Sequence, residues 1–177
     1  MLTLKNIYLD AAFLLIYGIQ PAADCLELNE AKLIESEVTL RNLRLTKEVT
    51  ETRRSMVRWL ALSLGIINPG ETRLSALGVL DAMLYFQFTK RQDPSVEELS
   101  DYISKAWGAM NEKTLRYHLL QLKNANILTH SKGRYSFVRS DNSEPYDELA
   151  WIESYFSNEL APIRDKVSTV IRELKGR

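Results

Sequence analysis

The stretch SVEELSDYISKAWGAMNEKTLRYHLLQLKNANILTHSKGRYSFV, residues 95–138, decides the fold. Ser95 stands three residues before Glu98, the spacing of a capping box that satisfies two free backbone N–H groups at a helix start. Behind it Val96, Leu99 and Ile103 fall on one helical face. Trp107, Gly108, Ala109 and Met110 make a short turn, with Gly108 supplying the positive φ that a helix exit favours. Asn111 is a good N-cap for the next helix, whose inward positions are Leu115, Leu119 and Leu122. That helix is expected to end at Asn126, a residue tolerant of the left-handed conformation. Residues 128–130, a turn of Ser131, Lys132 and Gly133, and residues 134–138 read as a β-hairpin.

Upstream, residues 74–89 predict another helix with Leu77, Leu80, Leu84 and Phe88 on one face, and Asp93 and Pro94 close its connector. Asn68, Pro69 and Gly70 form a break before it. Helix, helix, short turn, helix, hairpin is the layout of a winged helix-turn-helix, here over residues 72–138. The string TLRYHLLQLKNANIL (114–128), followed by a Lys-Gly turn, resembles the recognition helix and wing of ArsR-type and MarR-type bacterial and archaeal regulators. The resemblance covers about 67 of 177 residues. Those families often carry Gly where Asn126 stands, and a helical N-terminal extension is typical of neither.

A helix fits the major groove of B-DNA, where its outward residues reach base edges. With the three leucines inward, the outward set is Lys113, Thr114, Arg116, Tyr117 and Gln121. Arg116 suits bidentate contact with guanine and Gln121 suits adenine, while Thr114, Tyr117 and Lys113 suit phosphates. Lys132 and Arg134, on the wing, would lie along the DNA backbone or in a minor groove.

Charge distribution supports that placement. The chain carries 23 basic and 23 acidic residues, a neutral sum that gives no signal for nucleic acid. Residues 105–140, however, hold seven bases against one acid, whereas residues 1–40 hold two bases against six acids and residues 141–177 five against eight. A basic centre between acidic ends matters more for binding than the total. The function expected is a sequence-specific, double-stranded DNA-binding protein, a dimeric transcriptional regulator. The alternative is a winged-helix protein-interaction subunit of a replication, segregation or transcription complex, which the acidic terminal helices would serve as partner surfaces.

The fold class is therefore mainly α: a winged helix-turn-helix core with a small β-hairpin wing, flanked by N- and C-terminal helices. Three segments follow: a helical extension over 1–67, the winged helix over 72–138 and a C-terminal dimerisation helix over 146–177. In the extension, Ala11, Ala12, Phe13, Leu14, Leu15 and Ile16 form an apolar run too short for a bilayer, which needs about 20 such residues. It reads as a buried helix ending near Ile19, at Gly18 and Pro21. A second helix is expected over 29–64, with Ile34, Val38, Leu45, Val49, Met56 and Leu60 on one face.

At the C-terminal end Leu149, Ile152, Phe156, Leu160, Ile163, Val167, Val170 and Leu174 recur at helical spacing, close to a coiled-coil seam, with Pro162 either a point of kinking or the first residue of a second helix. Two readings stand: a stripe packed on the chain's own N-terminal helices, or a homodimer interface.

The lone Cys25 suits a reducing cytoplasm and a small buried apolar role. Cys25, His118 and His130 lack the spacing of a metal site, so no metal or cofactor is expected. Glu97, Glu98 and Asp101 occupy a helix start, where the macrodipole already favours acids. With no phosphate-binding glycine loop and no Ser/His/Asp arrangement, no enzyme and no catalytic residue are expected. Arg41, Arg44, Lys47, Arg53, Arg54 and Arg58 read as a solvated basic face or an extended DNA footprint. Trp59, Trp151 and Tyr155 offer an effector pocket or simply core.

Overall fold

The helix Ser75–Leu84, α3, is buried along residues 76–83, as a segment that is apolar nearly all round must be. The computed structural model describes residues 30–72, 74–140 and 143–176, in two units, Met1–Glu37 and Val38–Arg177. In the first, the described residues hold a single 3-10 turn, Glu30–Leu33. The expected helix near Ile19, its ends at Gly18 and Pro21, and Cys25 lie outside the described residues.

In the second unit the element order is α1 (Lys47–Thr50), α2 (Arg53–Ser63), α3 (Ser75–Leu84), a π turn (Tyr85–Lys90), α4 (Val96–Ala106), α5 (Glu112–Asn124), β1 (Leu128–Ser131), β2 (Arg134–Phe137) and α6 (Glu148–Gly176). The chain is mainly helical with one two-stranded antiparallel hairpin, in which Leu128 pairs with Phe137 and Ser131 with Arg134. Among the described residues no helix is long and apolar enough to cross a membrane.

One helix over 29–64 does not form. Arg41 N–H donates to Ser63 O and Ser63 Oγ donates to Arg41 O, both at 2.9 Å, folding the segment after Val38 back onto the end of α2. Gly65, at φ 69°, makes the turn there, and a Cβ on it would stand 2.6 Å from Thr39 O. Of the expected stripe, Ile34, Leu45 and Met56 are exposed, while Val57 and Ala61 are the buried residues of α2. Tertiary hydrogen bonds override the periodicity here.

The core joins Leu77, Leu80 and Met83 of α3 with Leu99 and Ile103 of α4 and Leu115, Leu119 and Leu122 of α5. Ile127, Leu128 and Phe137 close it below the hairpin, and Trp151 and Tyr155 attach the start of α6. Buried Gln87, in the π turn, ties three segments together: its Nε2 donates to Gln92 O at 3.0 Å and Asp93 Oδ1 at 2.8 Å, and its Oε1 accepts Phe137 N–H at 3.2 Å.

A buried carboxylate holds α2, α3 and α4 in place. Asp81 Oδ1 accepts Arg53 Nε at 2.6 Å, and Oδ2 accepts Trp107 Nε1 at 2.8 Å and the Tyr102 hydroxyl at 3.1 Å. Paired with Arg53 and hydrogen-bonded through both oxygens, it meets the condition under which a buried carboxylate is tolerated.

Candidate nucleic-acid interface

Helix α5 is positioned by its two ends and its inner face. Gly108, at φ 98°, turns the chain out of α4, and Asn111 Oδ1 then accepts Lys113 N–H at 2.7 Å. Asn126, at φ 52°, stops the helix in the left-handed conformation. Leu115, Leu119 and Leu122 are buried, so the opposite face must point to solvent. Ser75 Oγ and His118 Nε2 share a hydrogen bond of 2.8 Å that joins the start of α3 to the middle of α5. Burial lowers the His118 pKa from its ordinary 6.5, with the charge of Glu71 acting the other way.

Lys113, Arg116, Tyr117 and Gln121 are exposed on that outer face, and Thr114 is half-buried. The hairpin turn is a two-residue one, Lys132 and Gly133, both at positive φ (51° and 78°), as a type I′ connection requires. Lys132 is exposed at its tip.

Two of the seven candidate side chains form ion pairs within the chain, and Tyr117 sets its ring edge-on to His118. Arg116 Nε and Nη2 both meet Glu112 Oε1 at 2.7 Å, one turn earlier on α5. The hydrogen bond to that carboxylate, with its charge, raises the Arg116 pKa. Both side chains are exposed, so water screens the pair and a stronger acceptor can displace it. Arg134 turns away from the tip: its Nη1 donates to Asp93 O at 2.5 Å and lies 3.3 Å from Glu98 Oε2. It fastens β2 to the start of α4, as does Tyr135 N–H to Pro94 O at 3.0 Å.

Leu120 was not among the outward residues expected, yet it is 52% exposed beside Tyr117 and Gln121. It lies about 100° on from inward Leu119, which was the signal that could have found it. The run Leu119–Leu120 conceals that one leucine faces the core and the other faces solvent.

The arginines of the N-terminal segment are clamps. Arg41 donates to Leu62 O, Ile67 O and Asn68 Oδ1, Arg58 to Glu71 O at 2.8 Å, and Arg54 to Ala106 O at 2.8 Å with its guanidinium 4.8 Å above the Trp107 ring. With Arg53 on Asp81, four of the six expected basic residues bind other segments of the chain. Trp59 Nε1 donates to Arg44 O at 3.0 Å, whereas Trp151 packs on Phe88, Phe137 and Tyr155 in the core, so the three aromatics do not line one pocket. Among the described residues no group of three or more His, Cys, Asp or Glu side chains converges as metal ligands would. Ser95 and Glu98 form the capping box, Ser95 N–H donating to Glu98 Oε2 at 2.8 Å.

Compared with known proteins, the chain matches no family model, no curated protein and no solved structure.

Proposed function

We propose that the chain is a sequence-specific double-stranded DNA-binding protein, a winged helix-turn-helix that acts as a dimeric transcriptional regulator and reads the major groove with α5. The observation that carries this reading is the outer face of α5. Lys113, Arg116, Tyr117 and Gln121 stand exposed on a helix whose opposite side is locked into the core, within a stretch of seven bases and one acid. Arg116 exchanges Glu112 for a guanine edge, and Gln121 reads adenine. Lys113, Thr114 and Tyr117 meet phosphates, and Lys132 reaches the backbone from the hairpin tip. Arg134 acts indirectly, by holding the hairpin against α4.

The reading as a protein-interaction subunit draws on two observations: Glu112 and Glu98 offset two of the arginines, and Leu120 adds an apolar side chain to the same face. Polarisation titration of labelled genomic duplexes at two salt concentrations separates the two. DNA binding requires log K to fall with log salt by about 0.9 per phosphate neutralised, and salt-independent or absent binding leaves the interaction reading.

A further inference from the structure

Helix α6 runs 29 residues, and only Trp151 and Tyr155 at its start are buried. Its apolar stripe is left in solvent, from Leu149 at 64% exposed to Leu174 at 67%. The exposed set includes Ile171 as well as Val170, and with Ile171 the stripe is an 11-residue repeat: Leu149, Leu160 and Ile171; Ile152, Ile163 and Leu174; Phe156 and Val167. Such a repeat keeps apolar residues on one side of a helix with a slight right-handed supercoil, and α6 runs continuously through Pro162. Most of a helix's stability in proteins comes from packing its apolar face, so an arm whose stripe is exposed gains much from a cover.

The geometry points to a second copy of this chain as that cover, its α6 packed antiparallel on this one. The spacings along the stripe read the same from either end. With the two-fold axis between Ala161 and Pro162, Leu149 meets the partner's Leu174, Ile152 the partner's Ile171, Phe156 the partner's Val167 and Leu160 the partner's Ile163.

Charge then selects this pairing. Like flanks face each other in an antiparallel pair, which sets Glu159 opposite the partner's Lys166, twice by symmetry. Shifted to use Val170 in place of Ile171, the pair would oppose Arg164 to the partner's Arg164 and Glu159 to the partner's Glu173. A parallel pair would gain Glu159 against the partner's Arg164 but set Glu148 against the partner's Glu153. Asn126 Nδ2 donates to Glu159 Oε1 at 2.8 Å, fixing that carboxylate at the edge of the stripe.

The antiparallel pairing rests on the DNA-binding reading for its purpose, and its test does not. Trp151, which anchors the core to α6, lies level with the partner's Arg172. The two anchors are thus about 21 residues, or about 32 Å, apart along the helix pair. Half-sites one turn of B-DNA apart are separated by roughly 34–36 Å.

The test is a spin-label distance on the full chain carrying Cys25→Ser and Lys175→Cys. Antiparallel pairing places the two labels about 40 Å apart, the rise of the 27 or so residues between positions 148 and 175. A distance below about 20 Å means a parallel pair and overturns the proposal, as does a monomeric mass. Leu160→Glu, at a site exposed in the single chain, should halve the mass, with helical circular dichroism falling by no more than the uncovered part of α6 and the core from α3 to β2 still folded. A variant that stays dimeric puts the interface elsewhere and also overturns it. Duplex titration of Leu160→Glu distinguishes the two failures: salt-dependent binding to a half-site upholds the DNA reading whatever the label distance.

Discussion

Helices α5 and α6 carry apolar residues at the same kind of spacing and treat them in opposite ways. Leu115, Leu119 and Leu122 of α5 are buried, with α3, α4 and β1 against them, whereas the α6 stripe meets solvent along its whole length. Periodicity identifies a face that needs covering and does not identify the cover. In α5 the cover comes from neighbours close in sequence, which local patterning also announces. In α6 no described element of the chain covers the stripe, and the two aromatic residues that attach the helix, Trp151 and Tyr155, sit off it.

The sharpest way to break this comparison is to truncate one residue from each helix. Leu119→Ala should cost about 2–5 kcal/mol in denaturant unfolding, through lost burial and the cavity left behind. Val167→Ala, measured in the Leu160→Glu background so that no partner helix is present, should change stability by less than about 0.5 kcal/mol. Equal losses at the two sites would mean that α6 has a cover within its own chain.

Next in size is Asp81→Ala. Removing the acceptor strands Trp107 Nε1 and the Tyr102 hydroxyl, at about 1–3 kcal/mol for each donor that stays buried, while half-exposed Arg53 returns to water. Thermal unfolding of the variant measures the sum. An unchanged midpoint would show that α2 does not depend on this carboxylate for its attachment.

A smaller effect belongs to His118, which couples α3 to α5. Its pKa is lowered in the folded chain, so the unfolded chain binds more protons just below the ordinary 6.5. Stability from this group is therefore fully present above about pH 7 and falls as the pH drops through 6.5 toward the folded value. Urea midpoints compared across that window should show the decline in the wild-type chain and a flatter profile in His118→Gln.

The smallest expected effect is at the hairpin tip. Lys132→Ala should weaken all duplexes alike and reduce the salt slope by roughly one, without lowering stability. A loss confined to one duplex sequence would make Lys132 a base reader instead.

Much of the region from α4 to β2 is legible in the sequence because its signals are local. Ser95 with Glu98, Asn111, and Asn126 at positive φ each act within a turn of the helix they bound. The hairpin is legible too, although its turn uses Lys132 and Gly133 alone and leaves Ser131 in β1. The N-terminal segment is not, since Arg41, Arg53, Arg54 and Arg58 find acceptors 13 to 52 residues away and no short-range pattern encodes such distances. The π turn is opaque for the same reason: buried Gln87 is explained only by Asp93 and by Phe137, which is 50 residues distant. On α5, counting outward positions gave the polar residues of the candidate interface. It did not give the Arg116–Glu112 pair or the inward role of Arg134, which depend on side-chain geometry.

The most direct test of α5 as a reading helix is the affinity of Arg116→Ala for a cognate duplex, measured by polarisation beside the wild-type chain at two salt concentrations. DNA reading through this face predicts a loss of about 1–3 kcal/mol on the cognate duplex, relaxed preference at one base position and intact folding. Unchanged affinity and unchanged base preference in a folded Arg116→Ala variant would contradict it, and would leave the outer face of α5 as a surface for protein.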